Sequence, residues 1–300
     1  MKIKILKVKI RRFIAKNLSV LVHFIYYLKF KRYNFKKKPP IIVLTPGKVG
    51  SSSVYNTLKN KLKNNHVFHI HQLSDIGIKN SINTHLNSDR KSLPMHLIIS
   101  SLLNKKLMDY NDEVRIITLL REPVSRAISG IFQNIELYAK ELENKNLKII
   151  ESKVVDKVIK KIPMSLEYIE KWIKFELKNN LEIDIYNDDF SSNTGFKIFH
   201  NNGIKLLLIR MEDLNFSFKG ATMNFFDLEE GIKLKDYNIG EEKYYSRQYK
   251  SLRNKIKLSN ENIDKILSSK YVIHFYGDYV DKTSEAFKAF SKILSFLAIQ

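Results

Sequence analysis

Two short stretches concentrate side chains that could handle an anion. The first is Thr45-Pro46-Gly47-Lys48-Val49-Gly50-Ser51-Ser52-Ser53. Gly47 and Gly50 let the backbone approach a phosphate closely. Ser51, Ser52 and Ser53 add hydroxyl donors, and Lys48 adds a mobile positive charge. A helix opening at the serines would add free N–H groups and the positive end of its dipole. The same residues also suit a plain strand-to-helix turn whose serines cap the helix. The second stretch is Arg121-Glu122-Pro123-Val124-Ser125-Arg126-Ala127-Ile128-Ser129. Its Ser125 and Ser129 lie one helical turn apart and can point at one ligand beside Arg121.

A proton acceptor would complete such a site, and histidine titrates in the useful range. In His66-Val67-Phe68-His69-Ile70-His71, His69 and His71 are two residues apart, so on a strand they share one side. Both remain candidates for the base. His96 is a weaker one, on a helix. His200 and His274 fall in later strand candidates and read as structural.

The elements that must position these groups follow from hydrophobic periodicity. Ile41–Leu44 is a continuous apolar run, expected as a buried strand of a parallel sheet. Val54, Leu58 and Leu62 then recur as on one helix face. Val67–Ile70 is expected as a second strand, Leu97–Leu107 as a helix and Val114–Leu120 as a third buried strand. Pro123 suits the first turn of the next helix, with Val124, Ile128, Ile131 and Ile135 as its core stripe. Helical periodicity continues over 151–178. Leu181–Tyr186, Phe196–His200, Lys205–Ile209 and Tyr271–Phe275 are further strand candidates. Segments 241–269 and 283–297 are expected to be helical. Alternating strands and helices imply an α/β domain with a mainly parallel sheet. Ligands bind such sheets at the carboxyl ends of strands, where both anion-friendly stretches fall.

The order Lys48-x-Gly50-Ser51-Ser52 is not that of a Walker A loop, in which the hydroxyl directly follows the lysine. It resembles the donor-phosphate loop of sulfotransferases, Lys-x-Gly-Thr-Thr. Arg121-x-Pro123, with Ser129 eight residues after the arginine, resembles the second donor motif of that superfamily. Leu206–Leu214, apolar and then Arg210-x-Glu212-Asp213-Leu214, resembles a further common segment. The combination of Gly47–Ser53, His69-x-His71 and Lys243-Tyr244-Tyr245-Ser246 is most similar to the capsular polysaccharide synthesis branch, although tryptophan is commoner than tyrosine at the place of Tyr244.

The resemblance implies a P-loop-like, three-layer α/β fold, with a basic amphipathic segment over 1–38 and one sulfotransferase-like domain over 39–300. It implies 3′-phosphoadenosine 5′-phosphosulfate as sulfate donor, with no metal required. Gly47, Lys48, Val49, Gly50, Ser51, Ser52 and Ser53 would hold the donor's 5′ side, and Arg121 and Ser129 its 3′-phosphate. Lys48 and His69 or His71 would be catalytic. The acceptor would be a glycan or lipid-linked oligosaccharide hydroxyl of a bacterial surface polysaccharide. Segments 75–95 and 215–250 would shape its pocket. Leu206–Asp213 reads as structural, fixing the loop beneath the nucleotide.

Composition narrows the alternatives. The chain has 300 residues and no cysteine. That excludes disulfides, thiolate metal sites and cysteine nucleophiles. A cytoplasmic location, at the inner face of the membrane, is expected. The formal net charge is +21, and no acidic residue precedes Asp75, while residues 1–74 hold 17 Lys and Arg. This charge favours anionic partners, or it reflects a lysine-rich composition. Within Phe13–Phe30 the apolar run Asn17–Tyr27 is too short to span a bilayer, which needs ~20 apolar residues. Residues 1–38 could lie on an anionic membrane face or pack on the domain; both readings stand. Lys36-Lys37-Lys38-Pro39-Pro40 reads as a linker.

Two other functions compete. A nucleotide-dependent kinase would use Glu212 and Asp213 at the end of an apolar run to hold magnesium, but the lysine is misplaced for it. A nucleic-acid binder would interleave aromatics with the basic face. The aromatics here lie in core patterns or far from the basic end, and no nucleic acid is expected.

Overall fold

A computed structural model describes residues 19–87, 93–133, 160, 162–191, 193–235 and 260–280. Its centre is a five-stranded sheet ordered β2-β1-β3-β5-β4. The strands are β1 (Pro40–Leu44), β2 (His66–Ile70), β3 (Val114–Leu120), β4 (Phe196–Asn201) and β5 (Ile204–Arg210). β1 pairs in parallel with both β2 and β3, and β3 pairs in parallel with β5. β4 is the antiparallel edge, joined to β5 by the turn Asn202–Gly203. The chain leaves β1 towards β2 on one side and returns across β1 to β3 on the other. The loops after β1 and β3 therefore diverge at a switch point, where an open α/β sheet leaves a crevice.

Period-two alternation sorts the strand residues between two apolar layers. Ile42, Leu44, Ile116, Leu120, Leu206 and Leu208 point to one face. There they meet α1 (Ser19–Arg32), α4 (Met95–Leu107), α5 (Pro123–Gln133), α6 (162–172) and the one-turn π-helix Ile173–Lys178. Ile41, Val43, Ile117, Leu119, Leu207 and Ile209 point to the other. They meet α2 (Ser51–Lys61) and α7 (Leu214–Phe226), which follows the 3-10 turn Met211–Asp213. The remaining described helices are α3 (Asp75–Leu86), α8 (Asn260–Leu267), α9 (Lys270–Phe275) and α10 (Gly277–Val280). The α/β class with a mostly parallel central sheet flanked by helices is the expected one.

Two expected strands are not strands. Leu181–Tyr186 buries Leu181, Ile183 and Ile185 in strand-like alternation but joins no ladder. Asp184 closes a turn there, accepting from Tyr186 N at 3.1 Å and pairing with Lys178 at 2.6 Å. Tyr271–Phe275 is helical, as α9. Ser269 caps it through Val272 N, and Tyr271, Val272 and Phe275 are buried at helical spacing. His274 thus lies on a helix, bonded to Ile185 O at 3.1 Å. Ile135, Lys243–Ser246 and 283–297 lie outside the described residues, as do parts of 1–38, 75–95, 151–178, 215–250 and 241–269.

Candidate functional site

The loop after β1 has an unusual backbone. Gly47, Lys48 and Gly50 all take positive φ, at 77°, 64° and 75°. For Lys48 this is the left-handed region that side chains disfavour. The run ends at Gly50, which precedes α2 without giving a side-chain cap. Ser53 N donates back to Gly50 O at 3.1 Å, and a positive-φ run opening directly into a helix is the arrangement that suits an anion. Val49 is buried in the apolar layer, so only its backbone can serve a ligand.

Two arginines fix this backbone from behind. Arg126 donates to Pro46 O at 3.0 Å and Gly47 O at 3.2 Å. Arg121 donates to Lys48 O at 3.0 Å. Three successive carbonyls are thereby held by arginines of the second stretch. Arg126 is itself braced by Ser165 Oγ at 2.7 Å and lies over the Tyr168 ring, 4.8 Å from its centre. Sequence reasoning missed Arg126. Its place four residues after Glu122 on a helix was the one available signal.

The expected residues of the second stretch are brought against the first. Arg121 leaves the end of β3, and its backbone N–H and carbonyl both bond the Tyr271 hydroxyl, at 3.2 and 3.0 Å. Ser125 is in the first turn of α5, and Ser129 follows one turn later, half-buried. The helix end beside them is already occupied. Glu122, buried, accepts from Val124 N at 2.6 Å and Ser125 N at 2.8 Å. A ligand near Arg121 must therefore use side chains there, not the amides of α5. Burial pushes the Glu122 carboxyl up, against the lowering effect of those two amides.

The strand histidines flank the loop. His69 Nε2 lies 2.8 Å from Ser51 Oγ, and its ring stacks on Tyr55. His71 Nδ1 lies 2.8 Å from Thr45 O. A carbonyl only accepts, so Nδ1 carries the proton and Nε2 keeps its lone pair. A Cβ at Gly47 would stand 3.8 Å from the His71 ring. His96, in the first turn of α4, lies 5.1 Å from His71 ring to ring, and His69 lies 5.3 Å on the other side. Burial, and then the neighbouring histidines, lower His69 and His96 to about 4. His71 is also lowered, by burial first and by Lys48 and Arg126 after it, against the bond to Thr45 O. All three rings are neutral at pH 7.

Buried polar groups lock the second strand's exit. Trp172 donates to His71 O at 2.6 Å. Glu176 accepts from Leu73 N and Ser74 N, each at 2.7 Å, and from Ser74 Oγ at 2.8 Å. It backs the Ser74 cap of α3, whose Oγ accepts from Gly77 N at 3.0 Å, and a Cβ at Gly77 would collide with the Glu176 Oε1.

Arg210-x-Glu212-Asp213 does the same below β3. Arg210 pairs with Asp213 and, at 2.7 Å, with Asp278. Glu212 accepts from Glu122 N at 3.0 Å and from the Tyr276 hydroxyl at 3.0 Å. Both carboxylates are engaged in holding loops, and β3 stands between β5 and β1. That matches the structural reading of this segment rather than a magnesium-holding one. Among the described residues no cluster of His, Asp and Glu has metal-ligating geometry.

Residues 143–277 match the model of a family described as "Putative capsular polysaccharide synthesis protein". This stretch, somewhat under half of the chain, is similar to that family. No curated protein and no solved structure matches the chain. The matched span holds Ser165, Glu212 and Tyr271, which bond the stretch 121–129, and Trp172 and Glu176, which bond the exit of β2. The loops themselves, 45–53 and 121–129, precede it.

Proposed function

We propose that the protein is a sulfotransferase of capsular polysaccharide biosynthesis. It would move a sulfuryl group from 3′-phosphoadenosine 5′-phosphosulfate to a hydroxyl of a glycan or lipid-linked oligosaccharide. The observation that carries this reading is the loop of positive-φ residues opening an uncapped helix at the switch point, with Arg121 and Ser129 on the adjoining strand's exit. One end of a bisphosphorylated nucleotide fits the amides of Val49–Ser52. Arg121 and Ser129 suit its other phosphate.

In this reading the acceptor oxygen attacks sulfur as the bond from sulfur to the bridging phosphate oxygen breaks. His71 takes the acceptor proton at Nε2. Its Nδ1–H, held on Thr45 O, fixes the tautomer that a base needs. His69, tied to Ser51, orients the start of α2 instead. Lys48 and the α2 amides stabilise charge growing on the leaving phosphate oxygen. The lowered basicity of His71 matches a group that must stay unprotonated before attack.

Thermal stabilisation by 3′,5′-adenosine bisphosphate, compared with ATP and magnesium, tests the proposal. Selective stabilisation by the bisphosphate is expected. Selective stabilisation by ATP and magnesium would replace this reading with a kinase. Replacing His71 by Asn should then abolish transfer while leaving bisphosphate binding in place.

A further inference from the structure

Helix α1 is apolar on two opposite faces, and only one of them is covered among the described residues. Tyr26 and Phe30 turn inward. Phe30 is buried in the larger apolar layer, and the Tyr26 hydroxyl reaches Met95 Sδ at 2.8 Å. Lys106 Nζ holds Phe30 O at 3.0 Å. The opposite face carries Leu21, Phe24, Ile25 and Leu28, at i, i+3, i+4 and i+7. They are 50, 54, 53 and 42% exposed. At 100° per residue these four fall within one narrow stripe. Lys29 and Lys31 flank the stripe on its two sides and Arg32 ends it. Lys36, Lys37 and Lys38 follow directly, and all six cations are exposed.

We infer that this outward stripe of α1 seats the protein on an anionic lipid surface. A large apolar stripe bordered by cations is the pattern of a helix lying in the headgroup plane, its apolar side chains below and its lysines reaching up. Fourteen residues of helix span about 21 Å, short of the ~30 Å hydrocarbon core. No helix among the described residues is long and apolar enough to cross a membrane. The helix thus lies along the surface. A second copy of this chain is a poor occupant, because it would bring the same cations against these. Anionic headgroups supply the opposite charge. The inward contact of Tyr26 with Met95 also ties the docked helix to the first turn of α4, beside His96 and His71. The inference concerns α1 alone and stands or falls independently of the sulfotransferase reading.

Co-sedimentation of the full chain with vesicles tests it, comparing phosphatidylcholine alone with a phosphatidylglycerol mixture. Binding to the anionic vesicles only, weakening as salt rises, is expected. Phe24→Ser with Ile25→Ser should reduce it by about tenfold or more with an unchanged melting temperature, since neither side chain is packed. Lys29→Glu with Lys31→Glu and Arg32→Glu should reduce it similarly. Failure to bind anionic vesicles would overturn the inference. So would full binding by the serine variant, which would place the contact elsewhere in the basic end. A lipid-free dimer that the serine variant abolishes would overturn it too, assigning the stripe to a second copy.

Discussion

Helices α2, α3 and α5 follow β1, β2 and β3 without the 3-10 turn that separates β5 from the likewise uncapped α7, and their starts differ. That of α3 is capped by Ser74, whose hydroxyl accepts from Gly77 N and donates to the buried Glu176, and that of α5 by the buried Glu122 itself. The start of α2 has no side-chain cap and follows a run of positive-φ residues. A helix start without a side-chain cap costs stability. The protein bears that cost at one strand exit and removes it at two others with groups that themselves dislike burial. Burial raises the carboxyls of both Glu122 and Glu176. The contrast is what the proposed function expects: two ends closed by structural groups and one left for an outside anion.

The largest expected effect lies at the open end. Lys48→Ala should lower sulfate transfer by about 100- to 1,000-fold with little change in melting temperature, measured with a labelled donor. Retained transfer would remove the loop from the chemistry. At the closed ends the signs reverse. Glu176→Ala leaves two amides and a hydroxyl without their acceptor and should cost about 2–3 kcal/mol. Glu122→Ala, losing two amide bonds, should cost about 1–2 kcal/mol. Chemical denaturation measures both.

Ser52→Glu converts the open end towards the closed type. A carboxylate in the first turn of α2 should stabilise the ligand-free protein by about 0.3–1 kcal/mol and weaken binding of 3′,5′-adenosine bisphosphate. Stabilisation with undiminished binding would break the comparison. A separate effect appears in acid. His69 and His96 are held to about 4 in the folded chain but titrate near 6.5 when unfolded. Between those values the unfolded chain binds more protons, so their contribution is complete above pH 6.5 and is lost as pH falls towards 4. His96→Gln should therefore show a shallower loss of stability over pH 6.5–4 than the parent protein, in paired thermal melts. The buried glutamates act oppositely in that range but are common to both proteins.

The sequence made β1, β3 and β5 legible because each is a continuous apolar run buried on both faces. It marked the loop 45–53 because glycine, lysine and serine advertise their chemistry locally. Tyr271–Phe275 misled because five bulky residues suit a strand equally well; the decisive Ser269 cap lies just outside the run. Leu181–Ile185 misled because alternating burial does not require a ladder. The bracing residues were hidden for another reason. Glu176 meets Leu73 and Ser74 across a hundred residues, and Tyr271 meets Arg121 across 150. No local pattern encodes such pairs. Glu122 was closer to visible, since an acid directly before a helix-starting proline occupies the capping position.

The Tyr271 hydroxyl, shared between the N–H and carbonyl of Arg121, has a consequence for synthesis. A ribosome delivers both anion-handling loops long before it delivers residue 271. Until then the peptide at the exit of β3 lacks its brace, and Glu212 lacks Tyr276. On the proposed function, nucleotide affinity would be acquired late in synthesis, and a truncated product holding both loops would not compete with the finished protein for the donor.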